Sequence, residues 1–315
     1  MHIYRWDLDR TYLDTDIASV RGMIRTALER ASQKRNVPGA AALLRALIDY
    51  DDACRVFILS GSPVQMREVL EEKLALDGVR FDRLVLKDNL GNLRRGRFRA
   101  IRGQIGYKLP ALLAARGGLG GGVSETLFGD DTEVDALVYT LYAEAVAGRV
   151  SEDELTRVME AGGAYPDAVQ DALRYLRQIG HADCVEDIFI HADQALPLAT
   201  YHRLGRRVIP VWSWFQAALV LWQRGRVDAG QVAHVARAVL EDGPLTERGL
   251  VALAQDIVRR RHLAPERLLT LVEEADGLAP VAADLRRALD RLGPLPEAPL
   301  PPARPDWIGF LRAVH

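Results

Sequence analysis

Six apolar runs of strand length, spaced by segments of helical period, constrain the fold of this chain more than any other feature. The runs cover residues 2–6, 55–59, 83–87, 125–128, 185–190 and 207–211. After the first, Ile17, Val20, Ile24, Ala27, Leu28 and Ala31 recur at helical spacing and predict a helix. Pro38 is placed to open a second helix with Leu43, Leu44, Leu47 and Ile48 inward, and Pro63 a third that ends at Gly78. A short helix is expected over 109–116 and another over 132–147. Strands alternating with helices at these lengths imply βαβ units and a parallel sheet, so the expected class is α/β with a Rossmann-like sheet.

Beyond residue 150 the pattern changes. Two helices are expected within 151–180, the first with Ser151 and Glu154 at capping-box spacing, and we read them as a helical insert. Strand signals return at 185–211 and complete a unit spanning 1–225. From 226 to 292 the pattern is all helical, with starts near Asp228, Thr246, Pro265 and Ala279. Six prolines within 293–305 make a stiff tail, 293–315, whose Trp307, Ile308, Phe310 and Leu311 are apolar enough to dock.

The chemistry lies at the ends of the early strands. Asp7-Leu8-Asp9-Arg10-Thr11 follows the first run and sets two carboxylates two residues apart, a spacing that lets both serve one sheet edge. Open α/β sheets bind ligands at the carboxyl edge, and a hard divalent cation there needs such oxygens. Ser60-Gly61-Ser62-Pro63 follows the second run. Lys108 stands in Gly106-Tyr107-Lys108-Leu109-Pro110, and Gly129-Asp130-Asp131-Thr132-Glu133-Val134-Asp135 follows the fourth run.

This ordered set, within residues 1–145, resembles the four motifs of the haloacid dehalogenase (HAD) superfamily of aspartate-nucleophile phosphatases. Short blocks such as Leu84-Val85-Leu86-Lys87-Asp88 and Asp135-Ala136-Leu137-Val138-Tyr139 also resemble its bacterial phosphatidate-phosphatase-like branch. The resemblance implies a HAD fold and an Mg²⁺-dependent phosphatase. Asp7 would be the nucleophile, forming an aspartyl-phosphate, and Asp9 the general acid and base. Lys108 would neutralise the transferred phosphoryl group, which develops charge on its equatorial oxygens. Thr11 would fix the motif loop, and Ser60 with Gly61 would hold a phosphate oxygen at the start of a helix. The metal set would be drawn from Asp7, Asp9, Asp130, Asp131 and Asp135, with Asp131 and Asp135 alternatives for the supporting acid. Arg10 departs from the small or acidic residue usual at its position, and its side chain could turn away or touch substrate.

Five arginines within 94–102, Arg97 and Arg99 among them, are candidates to grip an anionic substrate, with a solvated hairpin as the alternative. The glycine-rich 117–122 lacks the Gly-Lys-Ser/Thr of a phosphate loop and reads as a connector. Trp212, Trp214, Phe215 and Trp222 read as core. His191 and His202 lack zinc-ligand spacing. A second class of function is open: a catalytically weak domain that binds partners through its 226–292 helices. A phosphomutase is a third, but no mobile cap is evident between the first two motifs.

With 49% hydrophobic and 27% charged residues, 315 residues make an ordinary globular composition. A net charge of −2 gives no reason to expect nucleic acid as partner, leaving a phosphorylated small molecule or lipid headgroup. Cys54 and Cys184 are the only cysteines and read as buried reduced thiols, over a disulfide or a nucleophile. No apolar run reaches transmembrane length and no leader pattern precedes Asp7, so the expected location is cytoplasmic.

Overall fold

The computed structural model describes residues 1–15, 29–88, 104–132, 134–194, 196–295 and 302–314. Six parallel strands form one sheet: β1 (His2–Asp7), β2 (Arg55–Pro63), β3 (Arg83–Lys87), β4 (Ser124–Asp130), β5 (Val185–His191) and β6 (Val208–Val211). Their order is β3-β2-β1-β4-β5-β6, a Rossmann-like arrangement. The chain moves outward on one side of β1, then returns to build the other side from β4. That reversal opens a crevice between the carboxyl ends of β1 and β4, where doubly wound sheets bind ligands.

The helices among the described residues are α1 (Ala40–Tyr50), α2 (Arg67–Leu76), α3 (Ile105–Arg116), α4 (Asp135–Val146), α5 (Glu152–Ala161), α6 (Pro166–Leu176), α7 (Leu198–His202), α8 (Trp214–Gln223), α9 (Ala229–Asp242), α10 (Glu247–Arg259), α11 (Pro265–Glu274), α12 (Ala279–Asp290) and α13 (Trp307–Val314). They cover both faces of the sheet. Side-chain alternation sends Tyr4, Trp6, Phe128 and Phe189 to one face, where α1 and α8–α12 pack. Leu127, Ile188 and Ile190 face the other way, against α3–α6 and α13. Trp6 stacks on Phe128 at 4.1 Å between ring centroids, and Phe128 on Phe189 at 5.4 Å. This aromatic row stiffens the strands that end at the site.

Caps explain why the late helices start where the sequence suggests. Asp228 and Gln231 form a reciprocal capping box for α9, and Thr246 accepts from the Gly249 N–H at the start of α10. Ser151 caps α5 by accepting from the Glu154 N–H. The tail does dock: Trp307 Nε1 donates to Glu154 Oε1 at 3.0 Å, and Arg203 pairs with Asp306 at 2.7 Å.

Several boundaries differ from the sequence reading. β2 continues through Pro63, whose extended backbone (φ −62°, ψ 147°) keeps it in the strand, and α2 begins only at Arg67. The Ser60–Pro63 segment is therefore a bulged strand end and not a helix start. α3 begins at Ile105, four residues earlier than the expected 109, and carries Pro110 inside it. α1 begins at Ala40, with Gly39 as its N-cap in place of Pro38 at its first position. Of the first expected helix only Ala31 is described, in a single 3₁₀ turn; 17–28 lie outside the described residues, as do Arg97 and Arg99. Trp212 is 37% exposed, with Arg260 over its ring, whereas Trp214, Phe215 and Trp222 are core. Both cysteines are free thiols, Cys184 buried and Cys54, against expectation, only half-buried. No described helix is long and apolar enough to cross a membrane.

Candidate functional site

Asp7 ends β1 and Asp130 ends β4, so two adjacent parallel strands deliver both carboxylates to the crevice at the switch point. Asp135, the first residue of α4, is brought over the end of β4 because Gly129 lacks a side chain. A Cβ at Gly129 would lie 2.5 Å from Asp135 Oδ2 and 2.8 Å from Tyr139 Cε2. Lys108 enters from the first turn of α3. Its Nζ lies 2.7 Å from Asp7 Oδ1 and 2.5 Å from Asp135 Oδ1, with all three side chains fully buried.

One oxygen from each of Asp7, Asp130 and Asp135 lies within 4.8 Å of the others, close enough to share a cation. All three are buried. Against three carboxylates the Lys108 ammonium supplies one positive charge, so the four groups carry −2 when ionised (−3 + 1). The field is felt by its neighbour: burial first, then Asp135, pushes the Tyr139 phenol well above its ordinary value. Hard oxygen donors with excess negative charge fit a divalent cation of the Mg²⁺ or Ca²⁺ type.

Asp9 and Asp131 lie outside this group of three. Asp9 Oδ2 accepts from the Ser60 and Ser62 hydroxyls at 3.0 and 2.9 Å, and its Oδ1 from Thr15 at 3.2 Å. Ser60 thus contacts the second acid of the motif, and Ser62, absent from the sequence candidates, does the same. Asp131 Oδ1 accepts from the Gln194 N–H at 2.8 Å and Oδ2 from Tyr201 at 3.0 Å, which ties it to the segment after β5. Of the two alternatives after Asp130, Asp135 joins the group. Thr11 Oγ1 donates to Asp130 Oδ2 at 3.4 Å, and its carbonyl accepts from Trp214 Nε1 at 3.0 Å, so Thr11 pins the motif loop to both the site and the core. Gly61 lets β2 approach the residue before α3, since a Cβ there would meet Gln104 Nε2 at 2.9 Å.

Arg10 has a left-handed backbone (φ 61°), uncommon for a residue with a side chain. Its N–H donates to Leu13 O, Nη1 to Thr15 O at 3.1 Å, and Nη2 pairs with Asp193. These bonds turn the guanidinium sideways along the sheet edge. His191, the register partner of Asp130 at the end of β5, stacks on Trp214 at 5.6 Å. Burial lowers its pKa, partly opposed by Asp131. Sequence reasoning placed no function on His191; its strand-end position was the available signal.

No protein-family model, curated protein or solved structure matched the chain in the three comparisons made.

Proposed function

We propose that the chain is a divalent-cation-dependent phosphatase that cleaves phosphomonoesters through an aspartyl-phosphate on Asp7. One observation carries the reading: Asp7 is buried at the switch point, within salt-bridge distance of Lys108 and with an oxygen within 4.8 Å of oxygens of Asp130 and Asp135. A buried carboxylate with a fixed ammonium beside it and a second acid two residues on is the equipment for attack on phosphorus.

The carboxylates of Asp7, Asp130 and Asp135 would hold the cation, which when bound supplies charge neutralisation for the phosphoryl oxygens. Asp7 attacks the phosphorus, and the ester oxygen leaves with a proton from Asp9. Lys108 offsets the charge gathering on the equatorial oxygens. Asp9 then takes a proton from water, which attacks the phosphorus of the acyl phosphate and releases inorganic phosphate and free Asp7. The three hydroxyls that donate to Asp9 hold its carboxylate in one orientation through both half-reactions.

The test separates the two acids. With p-nitrophenyl phosphate, whose leaving group needs little protonation, Asp9→Asn is expected to phosphorylate Asp7 and then hydrolyse slowly. This gives a burst near one equivalent and a mass increase on Asp7, because general acid–base help is worth about 10²–10⁴ in rate. Asp7→Asn should show neither. Activity at the parent level in both variants would remove this site from consideration.

A further inference from the structure

Beside the carboxylate group lies a cavity of about 560 Å³, between the β1 loop and the C-terminal helices. Arg10, His191 and Asp193 form its inner wall, and His191 is the register partner of Asp130 on the adjacent strand. Its outer wall comes from residues far away in sequence: Arg35 and Asn36 ahead of α1, and Asp242 and Pro244 at the end of α9. The two outer segments meet at Gly243, where a Cβ would lie 3.0 Å from Pro38 Cγ, so the helical extension closes directly onto the rim.

Two polar atoms buried in residues of this wall have no hydrogen-bond partner among the described residues: Asn36 Oδ1 and His191 Nδ1. A buried polar group without a partner is unfavourable, and a bound molecule that supplies one relieves it. Asn36 Oδ1 can only accept, whereas the imidazole nitrogen donates or accepts according to its tautomer. The charges are mixed as well. Among the described lining residues Arg10 is paired with Asp193, which leaves Asp14 and Asp242 with Arg35. An anionic group would meet more carboxylate than guanidinium, and an amine would be opposed by Arg35. An acyl chain would strand every one of these polar groups. Hydroxyls, which both donate and accept, satisfy carboxylate, amide, imidazole and guanidinium alike.

We propose that this cavity receives the leaving group of a hydroxyl-rich phosphate monoester, with Asp242 of the C-terminal extension helping to select it. The proposal rests on the phosphatase reading and gives the extension a place in the site, in contrast to a separate binding module.

Glucose 6-phosphate, phosphoethanolamine and p-nitrophenyl phosphate serve as probes, with Asp242→Ala and, as control, the exposed neighbour Glu241→Ala. The kcat/KM for glucose 6-phosphate relative to p-nitrophenyl phosphate is expected to fall about tenfold in Asp242→Ala, the scale of one hydrogen bond to a charged group. The ratio should hold in Glu241→Ala. Binding to the cavity is read separately, without turnover or phosphate, by titrating glucose and following tryptophan fluorescence, since Trp214 stacks on His191. Saturable binding about tenfold weaker in Asp242→Ala supports the cavity even if no ester is hydrolysed, in which case the phosphatase reading alone fails. Hydrolysis of p-nitrophenyl phosphate with an unchanged ratio in Asp242→Ala overturns the cavity assignment and leaves the chemistry standing. A preference for phosphoethanolamine over glucose 6-phosphate, or no saturable binding, also overturns it.

Discussion

Replacing Asp130 by asparagine separates charge from shape in the carboxylate group. The amide oxygen can keep the 2.6 Å bond from the Thr132 N–H, and the amide nitrogen can donate to the Thr11 hydroxyl. What disappears is a negative charge within 4.8 Å of two others. At an effective dielectric near 20, each such pair repels by about 3.5 kcal/mol, and Asp130 takes part in two pairs. Loss of its attraction to Lys108 cancels roughly one pair, leaving a net gain of about 3.5 kcal/mol for the metal-free protein. Asp130 is the member to change because the Lys108 ion pairs run to Asp7 and Asp135. Urea unfolding in chelator and in Mg²⁺ reads both sides of the exchange. The parent should gain about 2.7 kcal/mol at a Mg²⁺ concentration of 100 Kd. The variant should start higher in chelator and gain little from Mg²⁺. A variant less stable than the parent in chelator would show that Asp130 is held for its bonds and that charge crowding does not govern the group.

Three further outcomes follow from the same contacts. Lys108→Met should lower kcat by at least about 10², the scale for one electrostatic donor at a reacting oxyanion, with hydrolysis of a good leaving group as the assay. Gly129→Ala should abolish activity while the chain still folds, because the added Cβ displaces Asp135 from 2.5 Å away; circular dichroism and a phosphate-release assay distinguish this from unfolding. His2, buried between Ser124 and Thr126, has its pKa lowered to about 4 by burial and then by Arg226, partly opposed by Glu186. Between pH 6.5 and about 4 the unfolded chain binds the proton and the folded one does not, so stability falls as pH drops through that window, by up to about 3 kcal/mol. Urea melts of His2→Gln should be flatter than the parent's there; an NMR titration of His2 near 6.5 would contradict the assignment.

How far the sequence leads can be seen residue by residue. The starts of α9, α10 and α11 are local events, written in Asp228 with Gln231, Thr246, and Pro265, and they are legible without knowing the rest of the fold. The delivery of Asp7 and Asp130 to one crevice follows from strand ends plus the alternation of strands and helices. The division of labour between Asp131 and Asp135 is not local. Asp131 is claimed by Gln194 and Tyr201, 63 and 70 residues away, and spacing within Gly129–Asp135 carries no trace of them. The bulged end of β2 was hidden for another reason. Pro63 fits the first turn of a helix and an extended strand end equally well, and only its pairing with Lys87 decides. The cavity joins segments about 200 residues apart, so no window of sequence contains it.

A second buried ionic cluster in the same sheet sharpens the functional reading of the first. Glu125 of β4 accepts from Arg5 Nε at 2.5 Å, Arg116 Nη1 at 2.9 Å and Tyr142 at 2.8 Å. Burial alone would raise the Glu125 pKa, but Arg5 and its neighbours hold it below the ordinary value. Arg116 also donates to the Val123 and Gly120 carbonyls. Every charge there meets an opposite charge or a dipole, which is how a structural ion cluster survives desolvation. At the carboxyl ends of β1 and β4 the balance is different: three buried carboxylates gather, and the Lys108 ammonium pairs with two of them, Asp7 and Asp135. Folding gains nothing from that crowding, and one substitution would relieve it. The contrast with Glu125 supports the proposal that Asp7, Asp130 and Asp135 are gathered to hold a cation, and the response of Asp130→Asn to Mg²⁺ tests it directly.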